Sequence, residues 1–275
     1  MVRLTPAAVY EGGAGTPLVL LHGATATWRA WKPVLAPLSE RHRLWVPTLA
    51  GHHGGPALFC APEDVVTRIV DDVERRMDLA GLGRAHLVGN SLGGWVALEL
   101  ARRGRAESVV AFSPAGAWAT RADLQALLRL FRIGALMGGL PFAGRLVAID
   151  RARGPLMRTV AERGDLIPRS DAIDMFHDMA GCAILPRLLA GAEARGPIRP
   201  FAADPDCHVR LAWAGCDRTL PFDRYGQPMV DSVGGAELVI LPRVGHVPMY
   251  DNPALVVRTI LEVTSVGGAF DEATA

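Results

Sequence analysis

The feature that most constrains the fold is a strand that runs directly into a helix with a serine at the corner. An apolar run at 85–88 precedes residues 89–94 (GNSLGG), and apolar residues at helical spacing follow at 95–101. Such a sharp corner strains the backbone of Ser91, and side chains two residues to either side would collide. Gly89 and Gly93 remove that collision. The pattern therefore predicts a serine hydroxyl presented above the end of a sheet, at a helix N-terminus that favours developing negative charge.

Apolar runs and amphipathic stretches alternate along the rest of the chain. The continuous apolar run at 18–21 is typical of a strand that is covered on both faces. Further strands are predicted at 4–10, 43–47, 108–112, 209–214 and 236–241, and helices at 28–40, 62–80, after the serine and at 252–263. A glycine-rich turn at 11–15 predicts that the first strand is an edge strand in a hairpin. The predicted fold class is α/β, a mostly parallel central sheet flanked by helices.

The serine corner resembles the nucleophile elbow of the α/β-hydrolase family, which reads Gly-x-Ser-x-Gly. The resemblance covers nearly the whole sheet and its helices. In that family the loop after the strand at 18–21 begins His-Gly, as His22 and Gly23 do here, and the next residue donates a backbone N–H to the oxyanion hole. The resemblance therefore implies that Ala24 and Leu92 supply the two oxyanion donors. Many members have an aspartate where this chain has Thr48, so this loop departs from the family pattern.

The alternation of strands and helices stops between residues 115 and 203. Apolar stretches at 124–137 and 172–189 predict helices there, and arginines with a Gly-Gly pair exclude a membrane span. We expect residues 1–114 and 204–275 to form the hydrolase core, with 115–203 inserted as a helical cap, similar to that of capped family members. The methionines and phenylalanines of the cap either line an apolar substrate pocket or pack the cap against the core.

Two further groups are expected to meet Ser91 at one edge of the sheet. Parallel strands end on the same edge, so Asp217 and His246, each just after a predicted strand, should converge there. The chain order Ser, Asp, His is the one that the elbow fold requires. His246 would accept the serine proton and return it to the leaving group, while Asp217 would hold the imidazole tautomer. Asp204 and Asp206 precede their strand and would lie at its opposite end.

Other titratable residues have simpler interpretations. His22 is an alternative catalytic base, but it precedes a glycine in a turn, so a bond to the local backbone is expected. The adjacent residues His52 and His53 do not face one ion well, which predicts a solvated or locally bonded loop and no metal. The four cysteines lie far apart without CxxC spacing, so neither a zinc site nor a disulfide framework is indicated.

The composition of the chain limits the class of molecule that it is expected to bind. The formal net charge is +1 with acids and bases interspersed, so there is no electrostatic footprint for nucleic acid or an anionic membrane. A small apolar molecule is the expected partner, and no cofactor is required. Free thiols and a short first apolar run, unlike a signal peptide, predict a cytoplasmic protein. The oligomeric state is left open.

Four functions fit these residues. The leading hypothesis is a serine hydrolase that cleaves carboxylic esters through an acyl-enzyme. A second is carbon–carbon bond hydrolysis of ring-cleavage diketones, because the GNSxGG elbow also resembles those enzymes. They typically have a tryptophan after the catalytic histidine, whereas this chain has Val247. Cofactor-free perhydrolysis would use the same residues, and a hydrolase-like small-molecule receptor with slow turnover is the alternative outside catalysis.

Overall fold

The structure, a computed structural model, describes residues 6–140 and 142–265. Within these ranges the strands are β1 Val9–Gly12, β2 Thr16–Leu21, β3 His42–Pro47, β4 Ala85–Asn90, β5 Ala106–Phe112, β6 Phe201–Ala202, β7 His208–Ala214, β8 Val233–Gly234 and β9 Glu237–Leu241. The α-helices are α1 Lys32–Ser39, α2 Val65–Leu79, α3 Leu92–Arg102, α4 Arg121–Gly138, α5 Ala143–Val147, α6 Asp150–Leu156, α7 Arg169–Ala180, α8 Leu185–Arg195, α9 Gln227–Ser232, α10 Pro248–Asp251 and α11 Pro253–Thr264.

The main sheet has the strand order β1-β3-β2-β4-β5-β7-β9. β1 is antiparallel to β3, and every other pair in this sheet is parallel. The short strands β6 and β8 form a separate two-stranded sheet. The predicted α/β class, with a mostly parallel sheet between helices, is confirmed.

Alternate side chains of the sheet enter two separate cores. Leu18 and Leu20 of β2 pack on the face covered by α1 and α11. Val19 and Leu21 point the other way and pack with α2 and α3. All four side chains are fully buried, because successive residues of a strand face opposite sides and both sides are covered. This double burial explains the unbroken apolar run of the sequence.

The predicted hairpin at the N-terminus is wrong. Leu4 and Thr5 lie outside the described residues, and β1 pairs with β3 instead of with β2, its neighbour in the chain. The turn between β1 and β2 crosses the start of β3 closely. A Cβ on Gly13 would lie 2.3 Å from the His42 carbonyl oxygen, and φ is +74° there. The glycines thus allow a crossing that places β1 on the far side of β3.

Two predicted helices are each divided in the structure. The segment at 28–40 begins as a 3₁₀ turn, Trp28–Trp31, and continues as α1, because Pro33 lacks the N–H that a continuous helix needs. The segment at 172–189 separates into α7 and α8. A Cβ on Gly181 would lie 2.6 Å from the His53 ring, so the loop between these helices approaches the core closely.

Residues 115–203, here called the helical insertion, hold helices α4 to α8 between β5 and β7. α4 begins with a capping box, in which the Thr120 hydroxyl accepts from Asp123 N and the Asp123 carboxylate accepts from Thr120 N. Among the residues that the structure describes, no helix is long and apolar enough to cross a membrane.

Candidate active site

Ser91 occupies the sharp corner between β4 and α3. Its backbone has φ +55° and ψ −118°, a strained conformation for a residue with a side chain. A Cβ on Gly89 would lie 2.2 Å from the Gly93 carbonyl oxygen, and one on Gly93 would lie 2.1 Å from that of Leu21. The corner is therefore possible only because both flanking positions are glycine, as the sequence predicts.

Asp217 and His246 are brought together from loops after β7 and β9. The Nδ1 atom of His246 lies 2.8 Å from Oδ2 of Asp217, whose side chain is fully buried. The other carboxylate oxygen accepts from the backbone N–H groups of Thr219 (2.9 Å) and Leu220 (2.7 Å). An ionised carboxylate accepts all of these bonds, so Nδ1 of the imidazole is the protonated nitrogen. In the neutral ring, Nε2 then has a free lone pair for a proton.

Ser91, His246 and Ala24 line the same cavity, which has a volume of about 330 Å³ and lies between the sheet edge and the helical insertion. Asp217 lies one hydrogen bond behind His246. Leu92, the other predicted oxyanion donor, is the first residue of α3, and a helix leaves the N–H at this position without a partner of its own. The five predicted site residues thus meet at one sheet edge, and their catalytic roles stay predictions.

His22 orients the peptide unit that carries the Ala24 N–H. Its Nε2 atom accepts from the backbone N–H of Leu49 (2.9 Å), so Nδ1 is the donor to the Gly23 carbonyl at 2.8 Å. Because the Gly23 carbonyl and the Ala24 N–H belong to one planar peptide, this bond sets the direction of the N–H. Burial, with the neighbouring His52, holds the pKa of His22 well below its ordinary value. The expected bond to the local backbone is confirmed.

Two residues near the histidine loop were given no role by the sequence reasoning, which expected Asp251 to be exposed to solvent. Asn90, beside the serine, donates from its amide to the carbonyls of His246 (2.8 Å) and Phe112 (3.2 Å). The carboxylate of Asp251 accepts from the backbone N–H of Gly245 at 2.6 Å, and also from two N–H groups of the helical insertion. The position of Asn90 inside the GNSLGG motif is a signal that could have indicated its role. Asp251 lies in no sequence motif.

A cluster of charges joins α7 to the core along one side of the cavity. Asp178 of α7 is buried and accepts from the Thr27 hydroxyl (2.8 Å) and from Arg29, and it lies 3.0 Å from His53 Nδ1. Further contacts join Lys32 to Asp171 (2.9 Å) and Arg29 to Asp174 (3.0 Å). Sequence reasoning expected His53 to be solvated or bonded locally, and that was wrong, because its partner lies 125 residues away.

The helical insertion supplies most of the apolar cavity wall. Phe131 and Met137 come from α4, and Met175, Phe176 and Met179 come from α7. These methionines and phenylalanines therefore line the cavity, and Phe131 in addition packs against the core, so the two alternatives that the sequence left open both hold. The opposite wall holds the serine and the histidine, so an apolar ligand in the cavity would contact both groups of side chains.

Comparison with known proteins identifies the family. The model of the alpha/beta hydrolase family matches residues 18–259, so the chain belongs to that family and the resemblance seen in the sequence is confirmed. Epoxide hydrolase EphH of Mycobacterium tuberculosis is 33% identical over 202 residues, covering 70% of this chain and 91% of the relative. A 2-hydroxymuconate semialdehyde hydrolase of Pseudomonas is 34% identical over 100 residues, 34% of each chain.

Solved structures agree on the fold. The 2-hydroxy-6-oxo-6-phenylhexa-2,4-dienoate hydrolase of Rhodococcus sp. strain RHA1 has a TM-score of 0.72 at 20% identity and covers 94% of both chains. A thermophilic esterase of Thermogutta terrifontis has a TM-score of 0.69 at 19% identity, covering 94% of this chain and 93% of the esterase. The relatives are named as hydrolases that act on several kinds of bond, and this chain, as a member of the family, is an enzyme.

Proposed function

We propose that this enzyme is a serine hydrolase that cleaves carboxylic esters of apolar small molecules, with Ser91 as the nucleophile, His246 as the base and Asp217 as the group that orients it. The observation that carries the proposal is the bond from His246 Nδ1 to the buried Asp217 carboxylate, on a ring that shares a cavity with Ser91. The unpaired cysteines support a reducing, cytoplasmic setting.

The reaction proceeds in two halves. Nε2 of His246 takes the hydroxyl proton as the oxygen of Ser91 attacks the ester carbonyl carbon, and the N–H groups of Ala24 and Leu92 donate to the oxygen that becomes negative. The carbon–oxygen bond breaks, and the alcohol leaves with the proton from His246. Water then attacks the acyl carbon and gives a proton to His246. The bond from that carbon to the Ser91 oxygen breaks, His246 returns the proton to the serine, and the acid is released. Asp217 stabilises the imidazolium at both stages.

The serine itself argues against the reaction of the epoxide hydrolase relative. If Ser91 opened an epoxide, the enzyme would be joined to the product by an ether, which has no carbonyl carbon for water to attack. An acyl-enzyme does have such a carbon, and the proposed donors would face the oxygen bound to it. This chain therefore has a complete cycle for an ester, whereas covalent epoxide opening would stop after one step.

Carbon–carbon bond hydrolysis is the second candidate. Relatives named for it include the Pseudomonas enzyme above, and the GNSLGG elbow is similar to theirs. Val247 lines the cavity at the position where a tryptophan is expected for that class, which favours the ester reaction.

Within this proposal the helical insertion serves as a cap that selects the substrate. Its methionines adapt to irregular apolar shapes, since their side chains are flexible and polarisable. We expect nitrophenyl esters with longer apolar acyl groups to have a lower KM than the acetate, because more of the chain contacts the α4 and α7 side chains.

The test is labelling with a fluorophosphonate followed by intact-mass analysis, with turnover of a nitrophenyl ester panel in parallel. One label per chain and sustained turnover are expected, and both should be lost in Ser91→Ala. Ser113→Ala is the matched control, because Ser113 is also a buried serine that follows a parallel strand at this edge. Labelling that survives in Ser91→Ala, or turnover of a ring-cleavage diketone that exceeds that of every ester, would overturn the proposal.

A further inference from the structure

Large apolar side chains are exposed where α4 ends and α5 begins. Five of them form what we call the apolar face: Ile133, Leu136, Met137, Leu140 and Phe142. Leu136 has 74% of its surface exposed and Ile133 has 60%. Single exposed leucines are ordinary, but a group of large apolar residues at helical spacing marks a surface that contacts something apolar.

The second half of α4 is apolar on both of its sides. Leu124 and Leu128 are buried, and Phe131 and Ala135 continue that side against the core. Ile133 and Leu136 lie on the opposite side and point to solvent. A helix on the surface of a protein normally presents polar residues to water, so α4 has the pattern of a helix with a second apolar neighbour.

The charged residues of the segment that carries the apolar face have one sign. Residues 124–149 contain no aspartate or glutamate, but they contain three arginines, Arg129, Arg132 and Arg145, all of them exposed. Arg132 lies 3.8 Å from Glu193, and Arg129 donates to a carbonyl of its own helix. The overall charge of +1 therefore conceals an uneven distribution along the chain, in which the segment of the apolar face contributes basic residues alone.

The apolar face is continuous with the mouth of the cavity. Ile133, Met137, Leu140 and Phe142 are exposed and also line the cavity that holds Ser91. A partner that covers the apolar face therefore also lies at the entrance of the cavity. An apolar molecule leaving that surface could reach the serine without crossing water.

We propose that the apolar face and its arginines dock on a lipid bilayer with anionic headgroups. Apolar side chains beside basic ones are the composition of elements that lie in a membrane interface, where arginine contacts the headgroups. A second copy of the chain fits less well, because a two-fold dimer brings the same patch against itself and would place arginines opposite arginines. Delivery of an apolar ester from the bilayer rests on the proposed function, but docking itself does not.

The test is co-sedimentation of the full-length protein with vesicles of phosphatidylcholine alone or with about one-third phosphatidylglycerol. Binding to the anionic vesicles is expected, with loss at high salt because the arginine contacts are screened. Leu136→Asp should weaken binding at least about tenfold, and Arg145→Glu about fivefold or more.

Leu79→Asp is the matched control. Leu79 is also an exposed helical leucine, with 76% of its surface exposed, but it ends α2, which leads into the start of β4 at the opposite edge of the sheet. Its binding should equal that of the wild type, and equal urea midpoints will show that the variants are folded. Equal binding by wild type and Leu136→Asp, or no binding to anionic vesicles, overturns the proposal. So does a dimer that Leu136→Asp dissociates, because a second copy would then cover the face.

Discussion

The serine corner and the helical insertion face each other across the cavity, yet they are built by different means. Around Ser91, backbone approaches backbone so closely that one methyl group on Gly89 or Gly93 would overlap a carbonyl. The helical insertion also packs closely on the core in places, as at Gly181. Along the cavity, however, α7 is joined to the core by charged side chains such as Asp178, which pairs with Arg29, and α4 leaves large apolar residues exposed. Close packing fixes a geometry to a fraction of an ångström, whereas long charged side chains tolerate displacement.

This contrast suggests a division of work. Under the proposed function, the chemistry would belong to the closely packed edge of the sheet, and the choice of ligand to the helical insertion. If that division holds, substitutions at the sheet edge should reduce turnover of every substrate, and substitutions in the helical insertion should alter stability or substrate range.

The sharpest way to break the comparison is Asp217→Asn. The amide would keep a carbonyl oxygen towards the Thr219 and Leu220 N–H groups, so its NH₂ would face Nδ1 of His246 and force the proton onto Nε2. The ring could then no longer accept from Ser91, and kcat should fall about 10³- to 10⁴-fold with little change in the urea midpoint.

Asp231→Asn provides the control for this variant, since Asp231 is an exposed carboxylate paired with Gln227. Its steady-state kinetics should match those of the wild type. A loss of less than tenfold in Asp217→Asn would remove Asp217 from the site and leave the sheet edge without its orienting group.

Alanine in place of glycine tests the difference in packing directly. Gly93→Ala should lower the free energy of unfolding by about 3 kcal/mol or more, because its Cβ would lie 2.1 Å from the Leu21 carbonyl oxygen. Gly134→Ala in α4 should raise it by about 0.5–1 kcal/mol, because its Cβ would meet only the flexible end of the Met179 side chain, at 3.8 Å or more, and alanine favours a helix. Urea denaturation measures both, and equal effects would contradict the contrast.

The charged contacts of the helical insertion are tested by Asp178→Asn. This change leaves Arg29 and His53 beside a neutral amide in a buried setting, and the free energy of unfolding should fall by about 2 kcal/mol. Turnover of nitrophenyl acetate should fall far less than in Asp217→Asn. Asp165→Asn is the control, because Asp165 pairs with Arg163 on the open surface and should give no measurable change. A kcat loss as large as that of Asp217→Asn would show that the two regions are not separable.

A further test of the comparison is the dependence of stability on pH. Burial lowers the pKa of His52 to about 4 and holds that of His22 well below its ordinary value. An unfolded chain takes up these protons near pH 6.5, so stability is full above that pH and falls as the pH drops towards 4, by up to about 1.4 kcal/mol per pH unit for each histidine. Urea midpoints between pH 7 and 5 should show this slope, and His52→Phe should flatten it. Identical slopes in the two proteins would contradict the assignment.

Local patterns explain how much of this architecture could be predicted. Runs such as 18–21 and the GNSLGG corner depend on residues close together in the chain, so most strands and helices of the sheet region were located to within a few residues. The positions of Asp217 and His246 followed from one further rule, that parallel strands end on the same edge. The contact between Asp217 and His246, which are 29 residues apart in the chain, could therefore be predicted.

Contacts without a local pattern were not foreseeable. The bond from His53 to Asp178 spans 125 residues and that from Thr27 to Asp178 spans 151. Each side chain taken alone has the appearance of an ordinary surface residue. The pairing of β1 with β3 was missed for a related reason. A glycine-rich turn between two strands suggests that they form a hairpin, and nothing in the sequence indicates that β3 lies between β1 and β2.

The amide of Asn90 has one last consequence. It extends from the strand that carries the proposed nucleophile to the main chain of His246, and thereby links the two reacting partners through a route that bypasses the helical insertion. Loss of this amide would leave the His246 carbonyl without its bond to the serine strand, so Asn90 anchors the proton acceptor to the segment that bears the hydroxyl.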